Sequence, residues 1–181
     1  MTHMRVYDEN QPIEARLESS DFTEIRRHLA AAGIRLDRWL ADAEIQPGDT
    51  QEQVLAAYQR DIDRLMEEGG YKSVDVISMT PGHPDKVALR QKFLSEHTHD
   101  EDEVRFFVAG AGLFTLHIGS EVYEVLCEKD DLISVPAGTR HWFDMGPEPA
   151  FVAIRIFTNP AGWVAKFTGD PIAERFTRIG V

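Results

Sequence analysis

The sequence predicts a mainly β protein, a barrel or double sheet of the jelly-roll type, with helices packed outside its N-terminal side. Two observations predict this fold class. Between residues 71 and 158, short apolar segments alternate with turn residues at a spacing that leaves no room for crossover helices. Within residues 1–70, apolar residues instead recur at helical spacing. The 181 residues predict a single domain, with residues 159–181 forming a loop and a short helix.

The N-terminal part, residues 1–70, is predicted to be mainly helical. Asp21 and Glu24 are typical of a helix start, and Gly33 is a typical residue after a helix end, so we expect a helix over 21–32. A short segment over 36–40 is expected to pack beside this helix. Thr50 to Gln53 has the form of a capping box, and the apolar spacing then predicts a helix over 51–68.

The central part, residues 71–158, is predicted to form the barrel. Turn residues such as Gly110, Gly119 and Gly146 separate its apolar segments. The predicted strands cover 74–79, 86–95, 103–108, 112–118, 121–127, 132–135 and 150–157.

Composition excludes several classes of partner. The formal charge of −12 argues against nucleic acid and against an anionic membrane surface, because both require clustered Lys and Arg. A small anionic substrate stays possible, since a bound cation and one or two arginines reverse the field locally. The single cysteine, Cys127, fits a reducing cytosol. No signal peptide or long apolar stretch is visible, so we expect a cytoplasmic protein that acts as a monomer.

Three histidines and a glutamate have the spacing of a metal site. His97 and His99 share one face if they lie on a strand, and Glu103 keeps that parity across a bend. His141 comes from a separate segment, after Pro136 and Gly138 in the order P-x-G-x2-H. Three imidazoles and one carboxylate suit an octahedral Fe(II), Ni(II), Mn(II) or Co(II) with two positions left for substrate.

These two segments resemble the paired motifs of the cupin superfamily. The first follows H-x-H-x3-E-x6-G from His97 to Gly110, and the second is the P-x-G-x2-H run that ends at His141. The sequence departs from the general cupin pattern at three flanking positions, which shape turns and do not bind metal. Gln91 and Asp130 stand where glycine is usual, and Met145 stands where asparagine is usual.

Longer strings, residues 97–106 and 141–146, are similar to the acireductone dioxygenase family of the methionine salvage pathway. The resemblance extends to Gly33, to the Arg38–Trp39 pair, to the helix before Gly69 and to residues 155–157 with Trp163. It implies an enzyme that cleaves 1,2-dihydroxy-5-(methylthio)pent-1-en-3-one (acireductone) with O2, using one Fe(II) or Ni(II) ion per chain. With Fe(II) the family forms 4-methylthio-2-oxobutanoate and formate, and with Ni(II) it forms 3-(methylthio)propanoate, CO and formate.

Arg105 is the candidate catalytic residue beside the ligands. It lies two residues after Glu103 and therefore shares its inward face. A buried arginine needs an anionic partner. The resemblance makes that partner the doubly deprotonated substrate, whereas the alternative is an internal ion pair with Glu96 or another acid. Arg155, on a later strand, is a second candidate cation of the pocket.

Other residues near the ligands could either serve the site or have an ordinary structural role. The resemblance suggests supporting roles for Glu96 and Asp102, although such acidic clusters usually form solvated loops. Phe93, Phe143 and Trp163 could line a pocket for the methylthioalkyl tail, but aromatic strand residues, including Phe107, are by default core residues. His117 lacks partners at ligand spacing and is expected to be a half-exposed strand residue.

Two other functions remain open on the sequence alone. The same metal shell serves cupin isomerases and decarboxylases, which act on sugar phosphates or dicarboxylates. A cupin that binds a ligand without catalysis is the third possibility. The few arginines near the ligand segments argue against a phosphate substrate, and the complete ligand set argues against a protein without activity.

Overall fold

A computed structural model describes residues 1–159, 161 and 164–180. The strands are β1 (His3–Asp8), β2 (Leu17–Ser19), β3 (Arg35–Arg38), β4 (Ser73–Met79), β5 (His97–Thr98), β6 (Glu103–Ile118), β7 (Glu121–Glu128), β8 (Asp131–Val135), β9 (Arg140–Asp144), β10 (Phe151–Phe157) and β11 (Lys166–Phe167). The helices are α1 (Phe22–Ala31), α2 (Gln51–Ala57), α3 (Gln59–Gly69) and α4 (Lys86–Leu94), and a 3-10 helix covers Pro171–Arg175.

The strands form two sheets that share the long strand β6. Its first half, up to Gly110, pairs with β8 and β10, and its second half pairs with β7 and β9. One sheet has the order β11-β5-β9-β6-β7-β1-β2, and the other runs β4-β10-β6-β8-β3. The predicted mainly β class is confirmed. Within the described residues, however, the hydrogen-bonded strands do not close on themselves, so the sheet is open and not a complete barrel.

Gly110 is where β6 passes from one sheet to the other. Its φ is +69°, a conformation that favours glycine. A Cβ atom at this position would lie 2.0 Å from the carbonyl oxygen of Ala150. The predicted strands 103–108 and 112–118 are therefore one strand that bends at this glycine without ending.

Capping residues explain where the N-terminal helices begin. The Asp21 side chain accepts a hydrogen bond from Glu24 N, and Thr50 forms a complete capping box with Gln53. The helix predicted over 51–68 is two consecutive helices, because the chain leaves helical geometry at Tyr58. Helices α2 and α3 cover the outward face of the β4-β10-β6-β8-β3 sheet. The buried residues of this contact include Val54, Ile62 and Leu65 from the helices and Val104, Phe106 and Ile154 from the strands.

Residues 1–70 also contribute β1, β2 and β3, which pair with each other or with distant strands. The short segment over 36–40 begins as strand β3, which contacts α1 as expected. Two local predictions were wrong. The strand predicted over 86–95 is helix α4, whose side chains Phe93 and Leu94 turn toward the sheet. Gln91 lies inside this helix and shapes no turn.

The backbone conformation of Asp130 agrees with the general cupin pattern, which has a glycine at this position. This residue has a φ of +81°, which explains why glycine is usual there. The C-terminal segment contains the 3-10 helix, as expected, and in addition the short strand β11. Among the described residues, no helix is both long and apolar enough to cross a membrane.

Candidate metal centre

Three short stretches of chain bring the candidate ligands together. Strand β5 pairs with β9 so that His97 lies opposite His141, and β6 begins at Glu103. The ligand atoms of the three histidines all lie within 4.8 Å of one another. Glu103 Oε2 lies 3.2 Å from His99 Nε2 and 3.8 Å from His141 Nε2. All four side chains are buried. The structure therefore places the four residues in one cluster, as the motif spacing predicts.

The second ring nitrogen of each histidine is bound to a backbone carbonyl. Because a carbonyl oxygen only accepts hydrogen bonds, Nδ1 carries the proton and Nε2 presents its lone pair to the cluster. The three Nδ1···O distances are 2.7 Å from His97 to Ser95, 3.0 Å from His99 to Val164 and 2.8 Å from His141 to Thr139.

The protonation states also fit metal ligands. Burial lowers the pKa of His97 to about 4 and that of His141 to about 3, so both rings are neutral at pH 7. Burial alone would raise the pKa of Glu103, but the adjacent Arg105 guanidinium holds it well below its usual range. The cluster thus combines neutral nitrogen donors with one ionised carboxylate.

The acceptor atoms at the centre of the cluster have no hydrogen-bond donor between them. Glu103 Oε2 and His141 Nε2 are buried and have no hydrogen-bond partner. His99 Nε2 is close to Glu103 Oε2, yet its proton is on Nδ1, so two lone pairs face each other at 3.2 Å. Such an arrangement is repulsive unless a cation lies between the atoms. The residues present therefore fit a divalent ion.

Arg105 is anchored to the cluster and also faces the adjoining cavity. Its Nε donates to Glu103 Oε1 at 2.5 Å, and its guanidinium lies 4.9 Å from the ring centre of Phe143 and 5.0 Å from that of Phe114. Nη1 is buried and has no partner. The alternative interpretation of Arg105, an internal ion pair, holds for its Nε, but the partner is Glu103 and not Glu96.

A cavity of about 290 Å³ opens beside His97, His99 and Arg105. Its other walls are β4 and α4, and their apolar lining residues are Val76, Ile77, Met79, Leu89 and Phe93. Of these five residues, only Phe93 was a candidate from the sequence. Arg155 also lines the cavity, but it donates to both carboxylate oxygens of Asp75, at 2.9 and 2.5 Å. Phe143 packs behind Phe93 and Arg105 and is not a lining residue. Trp163 lies outside the described residues.

Asp102 and Glu96, the two acidic residues suggested to support the metal ligands, have different surroundings. Asp102 accepts a hydrogen bond from Ala137 N at 2.7 Å and so connects the loop before Glu103 to the loop before His141. Glu96 is buried and contacts His117 and Thr168. His117 was expected to be half exposed, but its side chain is buried between two carboxylates. The sequence could not predict this contact, because Glu96 and Glu9 lie far from His117 along the chain.

A comparison with known protein families shows to which family of cupin proteins the chain belongs. A family model described as ARD/ARD′ matches residues 3–165. The chain belongs to the ARD/ARD′ family. The resemblance to acireductone dioxygenase predicted from the two histidine segments is thereby confirmed.

Named relatives agree with this membership. The acireductone dioxygenase of Pseudomonas fluorescens is 60% identical over 179 residues, which cover 99% of each chain. That of Alcanivorax borkumensis is 57% identical over 178 residues, which cover 98% of each chain. Since these ARD/ARD′ relatives are named as dioxygenases, the predicted enzyme class is confirmed.

A solved structure extends the agreement to the fold. The acireductone dioxygenase from Bacillus anthracis, described with a cadmium ion in its active centre, superposes with a TM-score of 0.81 at 30% identity. The match covers 92% of this chain and 98% of that chain. The cupin architecture predicted for this ARD/ARD′ member is confirmed, with the open sheet described above.

Proposed function

We propose that the chain cleaves acireductone with O2 at one divalent metal ion held by His97, His99, Glu103 and His141. The observation that carries the proposal is the convergence of buried lone pairs that have no proton donor between them. Four protein ligands leave two of six octahedral positions, which suit the two adjacent oxygens of an enediolate. When bound, the ion would act as a Lewis acid and as an orienting template for the substrate oxygens.

Arg105 is the proposed electrostatic partner of the substrate. A divalent ion with the Glu103 carboxylate has a net charge of about +1, so a doubly deprotonated enediol leaves negative charge in a buried cavity. The unpartnered Nη1 of Arg105 is suitably placed to donate to that charge. The Nε–Glu103 hydrogen bond orients the carboxylate so that Oε2 turns toward the histidines.

The apolar walls of the cavity are proposed to hold the methylthioalkyl tail. Phe93, Leu89 and Met79 present apolar surface next to the ligand histidines, and such surface favours a thioether chain and excludes water. Arg155 would contribute positive potential that Asp75 largely offsets. We propose Trp163 as a further lining residue and Phe143 as a support for Arg105 and Phe93.

The metal sets the proposed products. With Fe(II), we propose that the chain forms 4-methylthio-2-oxobutanoate and formate, as methionine salvage requires, and with Ni(II), 3-(methylthio)propanoate, CO and formate. The cadmium described for the Bacillus anthracis relative supports a divalent cation at this place but selects neither metal. We further propose that the protein acts as a cytoplasmic monomer, a location that the buried free thiol of Cys127 supports.

The test combines metal binding with product analysis. Protein stripped of metal with a chelator and reloaded anaerobically with Fe(II) or Ni(II) is mixed with acireductone, and O2 uptake and products are measured. We expect His99→Ala to lose stoichiometric metal and O2 uptake, because three ligands cannot complete the shell. The matched control is His28→Ala, whose ring lies on α1 away from the cluster. Stoichiometric metal in His99→Ala, or no O2 uptake by either reloaded wild-type form, would contradict the proposal.

A further inference from the structure

A chain of three ionisable side chains runs from the surface to the strand that carries His97. His117 Nδ1 lies 2.6 Å from Glu96 Oε2, and His117 Nε2 lies 2.9 Å from Glu9 Oε2. The imidazole ring therefore bridges the two glutamates, with each ring nitrogen in hydrogen-bond contact with one carboxyl oxygen.

Glu96 depends on this link because it is buried. Its side chain is 1% exposed, and among the residues that the structure describes no Lys or Arg forms an ion pair with it. A buried carboxylate is costly unless it is paired and hydrogen-bonded. Thr168 provides the remaining contacts, donating from Oγ1 to the carboxylate at 2.7 Å and from its backbone N to the Glu96 carbonyl at 3.1 Å.

The strand next to Glu96 has little backbone support of its own. Strand β5 is two residues long and pairs with β9 through His97 and His141. On its other side it pairs with β11, which is also two residues long and exposed. Few ladder hydrogen bonds therefore fix the position of His97, whereas the preceding residue, Glu96, is held at three points, two on its side chain and one on its backbone carbonyl.

We propose that His117 is a positioning residue of the metal centre, because its bridge between Glu9 and Glu96 fixes strand β5 and thereby the ring of His97. This inference rests on the proposed ligation of a metal by His97. His117 is not among the residues that line the cavity beside His97 and Arg105. It acts through Glu96, and its predicted effect is on how tightly and in what geometry the metal is held.

The test variant is His117→Asn, which retains a short N–H donor near the position of Nδ1 but carries no charge and does not reach Glu9. Affinity for Co(II) is measured on the full-length protein by competition with a chromophoric chelator, together with the visible spectrum of bound Co(II). We expect Co(II) affinity to fall about 10-fold and the spectrum to change, as for other residues that orient metal ligands. His28→Asn, a histidine substitution on α1, should leave both unchanged.

A role in stability alone would give a different result. If denaturant unfolding of the metal-free variant shows a loss of stability while Co(II) affinity and spectrum match wild type, the inference is overturned. If His117→Asn does not fold, Glu9→Ala replaces it, because Glu9 is partly exposed and its removal frees the outer end of the ring. We expect Glu9→Ala to weaken Co(II) binding about threefold, as for loss of a partly exposed ion pair, and Glu14→Ala to have no effect. Equal affinities in these two variants would also overturn the inference.

Failure of the proposed function would be recognised separately. In that case wild type would not bind Co(II) stoichiometrically, or His97→Ala would bind it as tightly as wild type. Stoichiometric binding by wild type that is lost in His97→Ala, together with unaltered binding in His117→Asn, retains the metal site and rejects the role of His117.

Discussion

The two oxygens of the Glu103 carboxylate serve different partners. Oε1 accepts from Arg105 Nε, whereas Oε2 points at the histidine nitrogens and has no hydrogen-bond partner. The arginine thus leaves Oε2 without a proton donor, and its own Nη1 also has no partner. In the proposed function, this one side chain orients a metal ligand and offers positive charge to the substrate.

We predict that Arg105→Lys retains its metal but lowers kcat by about 10²-fold, the typical loss on removing one preorganised donor. A lysine keeps the charge, which offsets Glu103, but it lacks the planar fork that reaches the carboxylate and the cavity at once. Metal content and single-turnover rates under anaerobic mixing with O2 measure the two effects separately. Arg16→Lys, an exposed surface pair with Glu121, is the control. Wild-type turnover in Arg105→Lys would show that the fork geometry is not needed.

At the residue scale, the sequence predicted that four candidate ligands converge but not that His117 is buried beside them. His97, His99, Glu103 and His141 were identified because ligand spacing is encoded locally within two motifs. The contact of His117 with Glu96 and Glu9 depends on how β6, β5 and the turn after β1 meet in space. No local pattern encodes such a meeting, so the same histidine was predicted to be half exposed.

Strand β6 is the element on which the site depends most. Its first half carries Glu103 and Arg105, and its second half carries Phe114, whose ring stacks on His141 at 5.4 Å and lies over Arg105. Between them, Gly112 leaves the space that the ring of Phe143 occupies. The packing around the arginine therefore requires a residue without a side chain at position 112.

We predict that Gly112→Ala destabilises the protein by about 1–3 kcal/mol, the usual cost of overpacking a core. The added methyl would lie 2.2 Å from Phe143 Cζ, and that ring is already packed against Phe151 and Arg105. Turnover should fall as Arg105 is displaced. Denaturant unfolding and kcat are measured beside Gly82→Ala, where a Cβ would meet nothing within 4 Å. Equal stability of the two variants would refute the packing argument.

Element predictions failed where tertiary contacts outweigh the local pattern. In the segment 86–95, Val87 and Leu89 alternate as in a strand, yet Arg90 pairs with Asp144 on β9 and Phe93 packs on Phe143, as one face of a helix allows. Strands β1 and β3 were missed because their partners, β7 and β8, are far along the chain. The starts of α1 and α2 were predicted correctly, since the capping residues Asp21 and Thr50 act locally.

At the scale of the whole molecule, the metal-free centre makes the stability of the fold depend on pH. Burial lowers the pKa values of His97 and His141 below those of the unfolded chain, so between about pH 6.5 and pH 4 the unfolded state binds more protons. The stability that these neutral rings confer is present above pH 6.5 and is lost as the pH falls toward 4. Glu103, whose pKa is also lowered, contributes in the same direction at lower pH.

We therefore predict that metal-free protein loses stability as the pH falls from 7.5 to 4.5, with each of the two histidines contributing up to about 1 kcal/mol per pH unit below pH 6.5. Free energies of unfolding from urea titrations at several pH values measure this slope. His141→Gln removes one titrating ring, so its slope should be smaller than that of wild type, whereas His28→Gln should match wild type. Parallel slopes in all three proteins would mean that His141 is not buried as a neutral ring.

The sharing of β6 by both sheets has a consequence for how the molecule opens. Neither sheet can separate from the other without breaking β6, so the two behave as one cooperative unit that opens only on global unfolding. Strands β5 and β11, at the edge, are outside this unit and open at lower cost. Glu103 and Arg105 thus lie in the part that stays folded longest, and His97 lies in the part that opens first. We therefore expect a metal held by these residues to enter and leave on the β5 side, with Glu103 the last ligand to release it.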